Sequence, residues 1–353
     1  MGALSLPLAP ALLPGASAGT GSPPPPAPAR VSVDLERAPR GPAPRGGWFD
    51  PRRQVIHSEG RTVALEPRLR VPLVGVRRAD GGWVAAAYGI NNTRIIRIRS
   101  DGRWSTIARE PDEPGGGLDL DFLVSPGGGR LAYVTDGDDS SQVVVARLDG
   151  TEVDRFATQG ATLLDWADGR VWVTVDRYGG GPAPRLAVWR PGSEPTVRTE
   201  RRLGSLDGLD VRTGVAWRDE SGRRGVKAIP LRSGGWRSWT RIGYRFDDVS
   251  PDGRYALTYT DTPESPDAEY GFLGRLVVRD ARTGRPVTVF TGRHQVGVPD
   301  GPVWESRRSV LAVVHDEEDL RLVLVRLHVD GRVEVLSRAG TGRGEQPGVV
   351  PIT

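Results

Sequence analysis

Seven tight turns, each built around a glycine, divide this chain at nearly even intervals: Gly60, Gly102, Gly150, Gly192, Gly234, Gly284 and Gly331. The successive steps are 42, 48, 42, 42, 50 and 47 residues. A second series, Gly81, Gly128, Gly169, Gly214 and Gly253, interleaves with the first at steps of 47, 41, 45 and 39. Two turns per repeat, each flanked by short runs rich in β-branched and aromatic residues, give four strands per unit. One such sheet cannot bury both of its faces, so the units must stack around an axis. The expected fold is an all-β propeller of four-stranded antiparallel blades, seven in number, with six or eight as the alternatives.

The clearest copy of the unit runs from Asp247 to Asp261, where Ser250-Pro251-Asp252-Gly253 supplies a tight turn between two strands. Pro presets φ for the turn, Asp bonds locally to the backbone, and Gly supplies the positive φ. Weaker copies are Val124 to Asp136 and Asp165 to Asp176. For the fifth blade the pattern predicts strand a near Arg245 to Val249, b from Arg254 to Thr260, c from Gly271 to Asp280 and d from Pro286 to Phe290. Six such blades span Val71 to Ser337. The seventh is expected to be shared between the ends of the chain: Gln54 to His57 and Thr62 to Leu65 as c and d, Val349 to Thr353 as a, and Val31 to Leu35 completing it. Closure of this kind leaves no open sheet edge in the ring.

The turns Ser250-Pro251-Asp252-Gly253-Arg254 and Ser125-Pro126-Gly127-Gly128 resemble those of TolB-like propellers and of the WD-repeat-like family. The resemblance covers Val71 to Ser337 and rests on a structural turn; the Gly-His and Trp-Asp signatures of true WD repeats are missing. It implies an extracytoplasmic, periplasm-like location and protein binding, and it carries over no catalytic residue.

Composition narrows the function classes. Net charge is +4 and the pI about 9.7, but of the 48 cationic residues only Lys227 is a lysine. The arginines are scattered through nearly every turn and strand instead of forming the stripe that a nucleic-acid binder needs, so no nucleic-acid partner is expected. With no cysteine there is no disulfide, thiolate nucleophile or Cys-ligated metal. No apolar run is long enough to span a bilayer. The four histidines, His57, His294, His315 and His328, show no metal-site spacing, and Lys227 lies in no phosphate loop.

Residues 1–30 read as a segment apart from a propeller domain of residues 31–353. An apolar run from Ala3 to Leu13 followed by Ala16-Ser17-Ala18 resembles a secretory signal, though no basic residue precedes it and Pro7 and Pro10 interrupt it. Ser22 to Ala29, with four consecutive prolines, is a stiff spacer that cannot join a sheet. Extracytoplasmic placement is the expectation, with cytoplasmic as the alternative. Gly15-Ala16-Ser17-Ala18-Gly19 matches a nucleophile elbow in letters only, since no buried strand precedes it.

Two sets of acids stand out. In five blades the loop from strand b to strand c opens with one: Asp136, Asp176, Asp219, Asp261 and Asp316. All these loops share one face of a propeller, whereas many a-to-b and c-to-d turns, on the other face, close with arginine, as at Arg103, Arg130, Arg254 and Arg332. A binding face for a cationic protein or peptide is one reading; Asp as a favoured turn residue is the other. The second set, Asp165, Asp210 and Asp248, falls in strand a beside the central channel, where carboxylates could hold calcium or fix the backbone. The backbone role is preferred, and no cofactor is expected. The tryptophans Trp83, Trp172, Trp189 and Trp217 fall inside strands and should fill the space between blades; Trp236 and Trp239 have no obvious place. The combined reading is a monomeric, non-enzymatic binding propeller. The alternative is a lyase or hydrolase using Asp121, Asp165, Asp210, Asp248 or Asp300 at the channel mouth.

Overall fold

The computed structural model describes residues 27–352 except 52, 90–92, 111–115, 138–139, 176–184, 199–205, 207, 221–224, 231–237, 243–244, 262–271, 292–295, 298–301, 317–320 and 342–349. It shows a ring of seven blades, each with four antiparallel strands a to d running outward from the axis. Blade 1 comprises Leu73–Ala79, Gly82–Ala87, Arg94–Arg99 and Trp104–Arg109; blade 2, Gly117–Val124, Arg130–Asp136, Ser141–Arg147 and Glu152–Thr158. Blade 3 comprises Ala161–Ala167, Arg170–Val175, Arg185–Trp189 and Thr196–Arg198; blade 4, Gly208–Asp210, Val215–Glu220, Gly225–Pro230 and Trp239–Ile242. Blade 5 comprises Arg245–Val249, Tyr255–Asp261, Phe272–Asp280 and Pro286–Thr291, within a residue or so of the bounds read from its turns. Blade 6 comprises Val303–Ser306, Ser309–Asp316, Arg321–His328 and Val333–Thr341. Among the described residues no helix is long and apolar enough to cross a membrane.

The turns behave as their residues dictate. In blade 5 the Gly253 amide donates to the Ser250 carbonyl at 2.8 Å with φ at +70°, and the Ser250 hydroxyl accepts from the Tyr255 amide at 3.0 Å. The blade 2 copy repeats this with Gly128 and Ser125. Gly128 also abuts the preceding blade: an added Cβ would lie 2.7 Å from the amide nitrogen of Asp80 in blade 1, which donates to the Gly128 carbonyl at 2.9 Å.

Between turns, strict alternation sends successive side chains to opposite neighbours. Trp83, Ala85 and Ala87 face blade 7, while Val84 and Ala86, between them, face blade 2. In blade 2, Leu131 and Tyr133 face backward and Ala132 and Val134 forward. Among the described residues the core is therefore seven apolar clusters, one at each blade interface. Trp83, Trp189 and Trp217 are buried in these interfaces and Trp172 packs against one. Trp239 is also buried, and its indole N–H donates to the Ala281 carbonyl at 2.8 Å, linking blade 4 to blade 5. Trp236 lies outside the described residues.

The closing blade corrects one expectation. Its order is Val350–Pro351, Trp48–Asp50, Val55–Ser58 and Arg61–Ala64, so one C-terminal strand and three N-terminal strands close the ring. Strand b is Trp48–Asp50, not Val31 to Leu35. Instead Ala29–Ser32 runs parallel to the outer strand of blade 5, so Ala29 and Arg30, expected to lie before the folded part, pair in a sheet, and Val33 and Leu35 bury their side chains between blades 5 and 6. The reason is packing: Ala29–Ser32 adds as a further strand outside the four of blade 5, where the apolar cleft against blade 6 takes Val33 and Leu35, and Trp48–Asp50 fills the place in blade 7. From there the chain crosses blade 6, the Gly41 amide donating to Val335 O and the Val335 amide to Pro39 O.

A buried ionic cluster fastens this strap. Arg326 donates through Nε to Glu305 Oε2 at 2.5 Å, through Nη2 to Glu305 Oε1 at 2.8 Å, and through Nη1 to Glu334 Oε2 at 2.7 Å. Its Nη2 also reaches the carbonyls of Pro42 and Ala43, and the Arg45 amide donates to Glu305 at 2.8 Å.

Candidate functional site

The inner strands are irregular, and that irregularity builds the site. Strand a carries a register shift against strand b in blades 1, 2, 3, 5 and 6, at Val74/Arg77, Leu118/Phe122, Leu163/Asp165, Phe246/Val249 and Trp304/Ser306. A bulge inserts residues without partners, increases local twist and re-aims side chains. Here it turns Arg77, Asp121, Asp165 and Asp248 toward one opening. That opening is a cavity of about 1430 Å³ on the face formed by the a-to-b and c-to-d turns. Six blades line it, from Arg77 in blade 1 to Pro302 and Val303 in blade 6. Its inner wall holds half-buried Asp165, Asp210 and Asp248; Arg130, Arg190 and Arg212 stand exposed around the rim.

The carboxylates differ in how they are held. Asp165 Oδ1 accepts from the Trp166 amide at 2.7 Å, and Oδ2 accepts from the Val211 amide of blade 4 at 2.8 Å, so it ties two blades together. Asp210 Oδ1 accepts from the Thr213 amide at 3.0 Å, and Oδ2 lies 3.4 Å from Arg212 Nη2. This supports the backbone role expected for the strand-a acids. Asp248 is less well satisfied: its one hydrogen bond among the described residues comes from its own neighbour, the Val249 amide, at 2.6 Å. Burial dominates its titration and the nearby Asp210 adds to it, while the Val249 amide, Arg77 and Arg212 oppose; the carboxyl is pushed up to about 6. Burial likewise raises Asp165, with Asp210 contributing and the two amides opposing. Arg77 lies over the Phe122 ring, 5.5 Å from its centroid. Among the described residues no group of three His, Cys, Asp or Glu side chains is placed to hold a metal ion. Asp300, the remaining channel candidate, lies outside the described residues.

Of the strand-b acids, Asp136 and Asp316 end their strands opposite Ser141 and Arg321, Asp261 ends its strand opposite Leu273, and Asp219 pairs with Val226 one residue before the end. All strand b segments run the same way, so these four backbone positions lie on the rim opposite the cavity. Asp136 Oδ1 accepts from the Ser141 hydroxyl at 2.5 Å. Asp176 lies outside the described residues, as does the Gly15 to Gly19 segment. On the cavity side Arg103, Arg130, Arg254 and Arg332 are all exposed. His57 and His328 serve packing: His57 stacks on Trp48 with centroids 3.9 Å apart, and His328 Nε2 lies 3.3 Å from Glu334.

No protein-family model and no curated protein matches this sequence. Solved structures do match it. One of two prolyl endopeptidases studied for inter-domain dynamics in catalysis and specificity superposes with a TM-score of 0.53 at 12% identity, over 88% of this chain and 54% of that one. An uncharacterised protein of Listeria monocytogenes superposes at 0.51 and 8% identity, over 78% of this chain and 86% of that one. TolB from Acinetobacter baumannii matches at 0.44 and 12%, over 87% of this chain and 66% of that one. The fold is a seven-bladed β-propeller. At such identities the likeness shows fold alone. The chain spans about half the length of the endopeptidase and just under two thirds of TolB.

Proposed function

We propose that this propeller is a non-enzymatic binding module that receives a protein or peptide segment at the channel mouth. The observation that carries the reading is the cavity itself, about 1430 Å³ with acids on its inner wall and arginines around its rim. Small-molecule pockets run to about 1,000 Å³ and are mostly apolar, so an opening of this size and polarity suits several side chains of a larger partner. Its lining includes no His, Cys, Lys or Tyr among the described residues, which leaves general acid-base work to aspartates alone. Gly127 offers a clean test: it lines the cavity, and nothing lies within 4 Å of where its Cβ would be. Gly127→Trp should set an indole in the mouth and obstruct part of it while leaving the melting temperature unchanged. Proteins captured from a host extract by the wild type should be lost by the variant; equal capture by both would refute the reading.

A second contact is favoured by the acids that end strand b on the opposite rim. Asp136, Asp219, Asp261 and Asp316, together with Asp176, which the sequence puts in the equivalent loop, would steer a cationic partner to that side. Each rim contact is worth only about 0.2–1 kcal/mol, so a single Asn change should be silent and the five-fold Asn variant should lose salt-sensitive association. Binding that is the same for both at low and moderate salt would reduce these residues to turn formers. We also place the protein outside the cytoplasm, on the strength of the signal-like residues Met1 to Ala18. Mass spectrometry of the protein from its host should find those residues removed; retention of Met1 in a cytoplasmic fraction would overturn that placement.

A further inference from the structure

The channel mouth is chemically ordered, and the order specifies a ligand. Asp248 sits on the wall without an ion pair to any described residue, whereas Asp210, beside it, keeps the long 3.4 Å contact with Arg212. A charge held in a partly desolvated wall gains most from a partner that is itself charged and fixed in place. The charged groups that line the same cavity and act on the Asp248 carboxyl are Asp210 and Arg212 from blade 4 and Arg77 from blade 1. A cationic group placed against Asp248 and Asp210 would thus lie within a few ångströms of Arg212, where an anion is equally favoured. Two opposite charges this close are carried most compactly by one residue, a basic amino acid with a free carboxylate.

We propose that the channel mouth binds the C-terminus of a peptide ending in a basic residue. The side-chain cation lies between Asp248 and Asp210, and the terminal carboxylate lies on Arg212 and Arg77. This rests on the peptide-binding reading of the cavity and adds its polarity. The bulge that carries Asp248 supplies the geometry: it leaves the residue out of the ladder register, and the hydrogen bond given to its carboxylate among the described residues is the one from the Val249 amide to Oδ1. An Asn at this position keeps the amide contact and loses only the charge, so it isolates the electrostatic part.

The probe is the pentapeptide Gly-Ser-Gly-Ser-Arg, labelled with fluorescein at its N-terminus and followed by anisotropy. Its C-terminal amide and its citrulline analogue are the two controls. The free acid should bind, the citrulline form at least tenfold more weakly, and the amide at least fivefold more weakly. Asp248→Asn should weaken the arginine peptide as much as citrulline does and should not weaken the citrulline peptide further. Arg212→Gln should erase the difference between acid and amide. Since Asp248 titrates at about 6, wild-type affinity should fall about tenfold from pH 7 to pH 5 as the competent, ionised fraction falls, and Asp248→Asn should be flat. Equal affinity for acid, amide and citrulline peptides, or no binding of any, would overturn this proposal. Extract capture blocked by Gly127→Trp would still stand in either case, so failure of the ligand assignment is separable from failure of the binding reading.

Discussion

Replacing Arg326 tests whether the ionic cluster under blade 6 holds the strap and the ring together. The Arg326 and Glu305 side chains are 6% and 3% exposed, and the guanidinium supplies two hydrogen bonds to Glu305 and one to Glu334. In Arg326→Met, Glu305 would keep only the Arg45 amide and the Ser309 hydroxyl. Removing one partner of a buried pair costs about 3–5 kcal/mol, chiefly through the charge left behind. With unfolding entropy of about 2.1 cal/mol/K per residue, a chain of this length should lose about 4–7 °C in melting temperature. Trypsin should also cleave the strap near Arg37, Arg40 and Arg45 sooner, because Pro42 and Ala43 lose their anchor. The pH dependence gives the sign. Burial disfavours the Glu305 carboxylate, but its hydrogen bonds from Arg326, Arg45 and Ser309 and the charge of Arg326 outweigh that, so its pKa lies below the ordinary value. In the wild type this contribution is lost only as pH falls through that lowered value. In the variant burial dominates and the pKa rises, so protonation relieves the penalty and the gap to the wild type should narrow toward pH 4–5. Urea unfolding from about pH 4 to pH 8 measures it. The double variant Arg326→Met/Glu305→Leu should recover more than half of the loss, since it removes the more deeply buried carboxylate and leaves only the partly exposed Glu334, beside His328, without the arginine. A single-variant cost under about 1 kcal/mol, or one that does not change with pH, would refute this account.

Deleting Val349 to Thr353 removes strand a of blade 7 with buried Val350 and Ile352, each worth about 1.5–3 kcal/mol, and should lower the melting temperature by about 4–8 °C; an unchanged value would take the C-terminus out of the ring. Leu35→Ala empties a buried position between blades 5 and 6 and should cost about 2–4 kcal/mol in urea unfolding, whereas a cost near zero would mean that the strap merely drapes over the surface. Asp248→Asn should stabilise the fold at pH 7. Because the Asp248 carboxyl is raised to about 6, the folded state holds a proton that the unfolded chain has lost, and stability falls as pH rises through about 4 to 6. The variant should therefore match the wild type near pH 3.5 and gain on it up to pH 7; a difference that does not grow with pH would contradict the burial of this group.

The architecture was legible because it is periodic. Each glycine-marked turn is a local event, decided by φ freedom and a Ser or Asp side chain within four residues, and every blade repeats it; counting turns thus counts blades. The near-continuous apolar runs of strands b and c likewise announce burial on both faces, which is why Trp83, Trp189 and Trp217 could be assigned to blade interfaces from their positions alone. The strand-a acids were visible as candidates for the same reason. What the sequence could not contain was anything set by contacts across the ring. The bulges of strand a arise where the inner strands crowd the axis, and only they decide that Arg77, Asp121, Asp165 and Asp248 share one opening. Arg326 meets the carbonyls of Pro42 and Ala43 across more than 280 residues, and no local pattern encodes a partner that distant. Val31 to Leu35 has a strand-like pattern that would suit blade 7 or blade 5 equally. The choice fell to blade 5 because the ring formed an apolar cleft between blades 5 and 6 that buries Val33 and Leu35, while Trp48–Asp50 took the place in the closing blade.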